Sequence, residues 1–240
     1  SKANRVKCVN NIGNVYKAGL AFAQDNHERL PWQLTSSGVR KHWWKGARAA
    51  HKYGEQQGNQ YNRAKSHGKA FHAAGCFGLT AMKRELVTPK IIHSPTDATR
   101  AAGSEIVQED WKNFDTMNRW YGGNRSGSVT RLGQGASYLL VRGADTQRPS
   151  SVYSVTRNWS DTYWLTRGKW CGSDSDVGNG RTMSGMTASQ GQVTTMDGGA
   201  KQATNADFQG GGTITKASQT ATGGQAKGRT ELRLMRGTGL

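Results

Sequence analysis

No run of about 18 apolar residues occurs in the sequence, so no part of it reads as a membrane-spanning helix. Cysteine is scarce. The three residues, at positions 8, 76 and 171, are too few and too far apart for a disulfide scaffold, and none forms a CxxC pair of the kind that holds zinc. The count is compatible with one disulfide and one thiol, which leaves the redox compartment open. Nucleophile-elbow, P-loop, dinucleotide-binding glycine and HExxH patterns are all missing, and the expectation is a protein that is not an enzyme. No initiator Met or signal-peptide pattern stands at Ser1, and the opening reads as processed or truncated.

Acidic residues are also in short supply. Sixteen Asp and Glu face 33 Lys and Arg, giving a formal charge of +17 over 240 residues. The excess is concentrated in residues 1–100, which carry 17 Lys/Arg against 5 Asp/Glu. A field of that sign favours polyanions such as nucleic acid or acidic polysaccharide, and it opposes close packing of identical copies. The apolar fraction is only 34% and glycine reaches 32 residues, so a chain long enough to bury a core must place much of its length in loops and edge strands.

What is present begins with a helix predicted over residues 4–26, where Val9, Ile12, Tyr16, Leu20 and Ala23 recur near helical spacing. Gly13 and Gly19 interrupt it, each costing about 1 kcal/mol relative to Ala, so the helix depends on tertiary packing. Residues 38–75 then interleave cations with aromatics. Arg40, Lys41, Lys45, Arg48, Lys52, Arg63, Lys65 and Lys69 form a candidate polyanion site. Trp43, Trp44, Tyr53 and Tyr61 among them are also candidate interface anchors, because Trp, Tyr and Arg dominate protein–protein contacts.

A short helix is predicted over residues 74–87, followed by an extended stretch at 88–92 and a turn at 94–97. From about residue 128 the pattern is that of strands: 136–142, 151–156, and 192–196 entering an Asp197-Gly198 turn with 201–203 as its return. Asp197 reads as a hairpin residue rather than a catalytic acid. Asp174, Asp176 and Asn179, spaced on a tight Gly-rich loop, offer hard oxygens and form a candidate calcium loop without the bidentate acid that usually closes one. Residues 209–228 are Gly/Thr/Ala-rich, and 230–235 alternates as an edge strand does. Such a tail has backbone groups to offer a neighbouring subunit, with Ile214, Leu232 and Leu234 as its candidate interface side chains.

Several stretches together resemble a known family. Residues 5–14 (RVKCVNNIGN), 19–32 (GLAFAQDNHERLPW), 86–92 (LVTPKII), 136–139 (ASYL), 144–149 (ADTQRP) and 191–199 (GQVTTMDGG) occur in the order found in type IV pilin-like and pseudopilin-like proteins of the prepilin type. The resemblance covers most of the chain, without the hydrophobic first half of the family's helix. It also departs at 94–97, where relatives often carry a cysteine. Cys76 and Cys171 are therefore left as the candidate disulfide residues.

The resemblance implies an α+β fold: a long N-terminal helix packed on a C-terminal antiparallel sheet with long loops. That agrees with the unaided reading, since an amphipathic helix needs a sheet face to cover. The implied organisation is a helix and its exit at 1–35, a basic aromatic-rich excursion at 36–75, an α+β body at 76–208 and a Gly/Thr-rich tail with a terminal strand at 209–240. The implied function is a structural subunit of an extracellular or cell-surface assembly, a homopolymeric filament with the chain itself as partner. A polyanion-binding surface protein and a pseudopilin of a secretion machine are the alternatives. No cofactor is expected beyond the candidate calcium.

Overall fold

The computed structural model describes residues 2–35, 37–38, 42, 76–77, 79–98, 136–173, 181–225 and 231–235. The chain is α+β. Helix α1 spans Lys2–Gln24, α2 Thr80–Leu86 and α3 Thr213–Thr220, and one sheet collects β1 (Tyr138–Val141), β2 (Val152–Thr156), β3 (Gln190–Thr195), β4 (Ala200–Thr204) and β5 (Leu234–Met235). The strand order is β4-β3-β2-β1-β5, and every pairing is antiparallel.

The inner strands β1 and β2 are buried along their whole length, as strands covered on both faces must be. α1 covers one face. Its buried stripe runs through Cys8, Ile12, Val15, Tyr16, Gly19, Phe22 and Ala23. A register shift between Val152 and Ser154 is a bulge, a device that re-aims side chains. Here Tyr153 meets α1, its ring edge-on to Tyr16 at 5.9 Å and tilted against Trp32 at 6.0 Å.

Aromatic residues close the opposite face. Trp159 and Trp170 meet edge-to-face at 4.9 Å, and Phe208 joins them at 5.5 and 5.8 Å, geometries that suit the ring quadrupoles. Trp170 lies flat against Gly191 of β3, where a Cβ would come within 2.2 Å of the indole. Gln192, the next residue, turns to α1 and donates to the Arg5 carbonyl at 3.1 Å, so the two layers alternate along one strand. Residues of α1, α2, the sheet and α3 belong to a single core.

The strand pattern matches the predicted one, including the hairpin. Gly198 takes φ +89° at the turn, and the Asp197 carboxylate accepts from Thr195 Oγ1 at 2.5 Å and from the Gly199 amide at 2.9 Å. Those bonds, the Thr195 hydroxyl's above all, hold the Asp197 carboxyl below its ordinary range.

Two expectations of secondary structure are corrected. The stretch predicted as extended after α2 is a 3-10 turn at Pro89–Ile92, capped by the Thr88 hydroxyl on the Lys90 amide. The tail is no loose donor strand. It forms α3, whose Ile214, Thr215 and Ser218 are buried, and Thr215 Oγ1 donates to the Phe208 carbonyl at 2.7 Å. Its terminal strand is β5, which pairs with β1 on one side. On its other side Leu234 N donates to Tyr163 O and Leu165 N to Leu232 O.

Candidate functional site

Most of the predicted site residues lie outside the described residues: Asp174, Asp176 and Asn179; Trp43, Trp44, Tyr53 and Tyr61; Arg40, Lys41, Lys45, Arg48, Lys52, Arg63, Lys65 and Lys69. Among the described residues no group of three or more His, Cys, Asp or Glu side chains is placed to hold a metal. Within the basic segment, His42 is seated on the body, 2.6 Å from Asn26 Oδ1 and 5.0 Å from the Phe22 ring.

The candidate interface residues Ile214, Leu232 and Leu234 lie inside the fold rather than on its surface. Each is buried in the chain's own core, since their segments pack back on the sheet. The candidate disulfide residues Cys76 and Cys171 are likewise corrected: all three cysteines are buried thiols with no disulfide between them. Cys171 Sγ donates to the Lys169 carbonyl at 3.6 Å beside the tryptophan layer, while Cys76 lies in the core near Tyr153 on the helix side.

Among the described residues two places stand out. The first is a buried chain of hydrogen bonds beneath α1. Ser94 Oγ donates to Cys8 Sγ at 2.7 Å and lies 2.7 Å from Thr96 Oγ1, and Ser94 N donates to Ser137 Oγ at 2.9 Å. Ser137 Oγ donates in turn to Asp97 Oδ2 at 2.8 Å. Arg157 clamps that carboxylate with Nε and Nη2, both at 2.6 Å, and Nη2 also reaches the Thr182 carbonyl at 2.9 Å. Asp97 and Arg157 are fully buried. No local pattern flagged Arg157, because its partner stands 60 residues away.

This first cluster joins α1, the 94–97 turn, β1 and the end of β2. Burial pushes the Cys8 thiol up, and burial does the same to Cys76, Tyr138 and Tyr153. A raised thiol carries little thiolate, so neither Cys8 nor Cys76 is an activated nucleophile.

The same shifts set the fold's response to alkali. Their folded pKa values exceed the unfolded ones, so the stability these groups contribute is complete below the unfolded pKa and falls as pH rises toward the folded pKa. Decline is expected to start near pH 8.5 to 9 for the thiols and near 10 for the phenols, at up to about 1.4 kcal/mol per pH unit for each group. Urea unfolding midpoints in reductant should therefore drop steadily from pH 9 to 11. A midpoint level through pH 10.5 would contradict the burial of these groups.

The second place is an open groove of about 650 Å³ lined by Lys2, Arg5, Val6, Val9, Asn10 and Gln202, between the first turns of α1 and the edge strand β4. Sequence patterning missed it, because nothing local connects the start of the chain with residue 202. No carboxylate is among its described lining residues, and Val6 is 55% exposed, one of the few large apolar side chains left in water among the described residues.

Comparison of the chain with protein-family models, curated proteins and solved structures finds no match.

Proposed function

We propose that this protein is a non-enzymatic structural subunit of an extracellular or cell-surface assembly, a pilin-like filament built from copies of the chain. The observation that carries the reading is the placement of α1. A helix of 23 residues seals one face of an antiparallel sheet with its inner stripe, while its first turns, Lys2 to Lys7, extend past the core with Val6 in solvent. Stretches that resemble pilin-like proteins hold that arrangement together. Cys8 sits in the buried hydrogen-bond chain, Asn11 Nδ2 donates to the His93 carbonyl at 3.1 Å, and Asn26 Nδ2 donates to the Phe22 carbonyl at 2.7 Å as α1 ends. The Asp197-Gly198 turn places β4 beside the start of the helix.

Negative-stain electron microscopy of the purified chain at low and at high salt tests this. Filaments or ordered oligomers are expected, and more readily at high salt, because screening relieves repulsion between copies of charge +17. Monomers at both salts would overturn self-assembly for this form.

The same charge favours a second reading, a surface protein that binds polyanions. It predicts the opposite salt response: affinity for duplex DNA or an acidic polysaccharide should fall steeply with log salt, because releasing condensed counterions into more concentrated salt gains less entropy.

A further inference from the structure

We infer that the groove between α1 and β4 is a docking site for an extended, acidic segment of a partner protein, which adds to the sheet as a sixth strand. The inference rests on the open edge and its charge, independently of whether the chain forms filaments.

Among the described residues, only one of the sheet's two outer strands is closed. Beyond β5, residues 163–165 satisfy its backbone, with Leu234 N on Tyr163 O, Leu165 N on Leu232 O and a bridge between Trp164 and Arg233. Beyond β4 no described strand pairs. Antiparallel ladders alternate, and Thr195 N donating to Gly199 O fixes the phase. Lys201 and Ala203 thus bond to β3, while Ala200, Gln202 and Thr204 turn their backbone groups outward. The phase agrees with two other bonds: Gln192 N turns away from β4 to Thr156 Oγ1, and the outward Thr204 amide is taken by Asp207 Oδ2. Ala200 and Gln202 keep N–H and C=O groups facing out, the arrangement that accepts an added strand.

The ground beside that edge selects the partner. Lys2 and Arg5 line the groove with Val6 and Val9 between them, and no acid among the described lining residues offsets the two cations. A strand lying on β4 presents alternate side chains to this wall, and acidic residues there meet Lys2 and Arg5 while its apolar atoms cover Val6. A buried acceptor stands at the same wall. Gln192 faces Gln202 across the ladder and is bonded through Nε2 to the Arg5 carbonyl, and its fully buried Oε1 has no partner among the described residues. A second copy of this chain is the poorer occupant, because each copy brings a charge of +17 to an already basic wall.

The test uses the full chain and a fluorescein-labelled ten-residue peptide alternating glutamate with valine, read by anisotropy at 50 and 150 mM salt. Binding is expected, together with slowed hydrogen exchange at the Ala200 and Gln202 amides. The paired charge reversal K2E and R5E, which alters one exposed and one half-buried side chain outside the core, should weaken binding at least tenfold, and Gln202→Pro should do the same by removing an outward donor at an edge position. A control peptide of equal charge with proline at alternate positions cannot pair. Equal binding of the control would overturn strand addition in favour of simple charge attraction, and so would equal binding by the Gln202→Pro protein with its β-sheet signal intact. No binding of the alternating peptide would overturn the inference outright. If Gln202→Pro instead abolishes oligomers of the chain alone, the edge belongs to a second copy and the acidic-partner assignment fails. None of these readouts requires filaments, so failure here and failure of the filament reading are separate results.

Discussion

Arg157→Met is expected to cost the fold about 3–5 kcal/mol, the penalty for leaving one member of a buried ion pair without its partner. Neither Asp97 nor Arg157 touches solvent, and their two contacts at 2.6 Å are bidentate. Methionine fills most of the space but takes both guanidinium donors away from the Asp97 carboxylate, and with them the donor that serves the Thr182 carbonyl. The loss spreads, because the pair joins four pieces of chain. The 94–97 turn carries Asp97, β1 follows directly on Ser137, Arg157 directly follows β2, and Thr182 leads into residues whose Gly185 amide donates to the Thr96 carbonyl at 2.9 Å. Urea unfolding at pH 7, followed by tryptophan fluorescence, should show the midpoint falling by more than 1 M, given a slope of about 1–3 kcal/mol/M. The double substitution Asp97→Leu with Arg157→Met should regain at least half of the loss, since apolar replacement of both partners removes the stranded charge. A single-variant loss below about 1 kcal/mol would match a solvent-exposed pair and contradict this burial.

That pair also marks where sequence reading stops. Periodicity located α1, and alternation with turn residues located β1 to β4, because those signals lie within a few residues of one another. Asp97 was visible only as a turn residue, and Arg157 as a cation after a strand. Their meeting depends on the sheet first bringing residue 157 beside residue 97. α3 was hidden for another reason. Eight residues of Thr, Ile, Lys, Ala, Ser and Gln between glycines have little helix tendency alone, and so short a helix is marginal in water. Burial of Ile214 and the bond from Thr215 to the Phe208 carbonyl supply what local propensity lacks. The groove was illegible on the same grounds as the ion pair. Gln202 looks like any polar strand residue until the hairpin turn sets it beside Lys2 and Arg5.

The two glycines of α1 look alike in sequence and should respond oppositely to alanine. Helix propensity alone favours both substitutions by about 0.8–1 kcal/mol. At Gly13 an added Cβ would meet, among the described residues, only Ala200 Cβ at 3.7 Å, an ordinary contact, so Gly13→Ala should stabilise by roughly 0.5–1 kcal/mol. At Gly19 the Cβ would stand 2.0 Å from the Tyr153 hydroxyl and 2.4 Å from its ring carbon. Tyr153 has nowhere to retreat, being fully buried with Tyr16 and Trp32 against its ring. Overpacking of this kind costs about 1–3 kcal/mol, which exceeds the propensity gain, and Gly19→Ala should lower the unfolding midpoint. A double-mutant cycle with Tyr153→Leu separates packing from propensity. Tyr153→Leu alone destabilises by opening a cavity, but in its background Gly19→Ala should turn neutral or stabilising, because the obstructing ring is gone. If Gly19→Ala stabilised the wild-type chain as Gly13→Ala does, α1 would not be seated on Tyr153. The helix-on-sheet contact that underlies the proposed subunit would then need a different register.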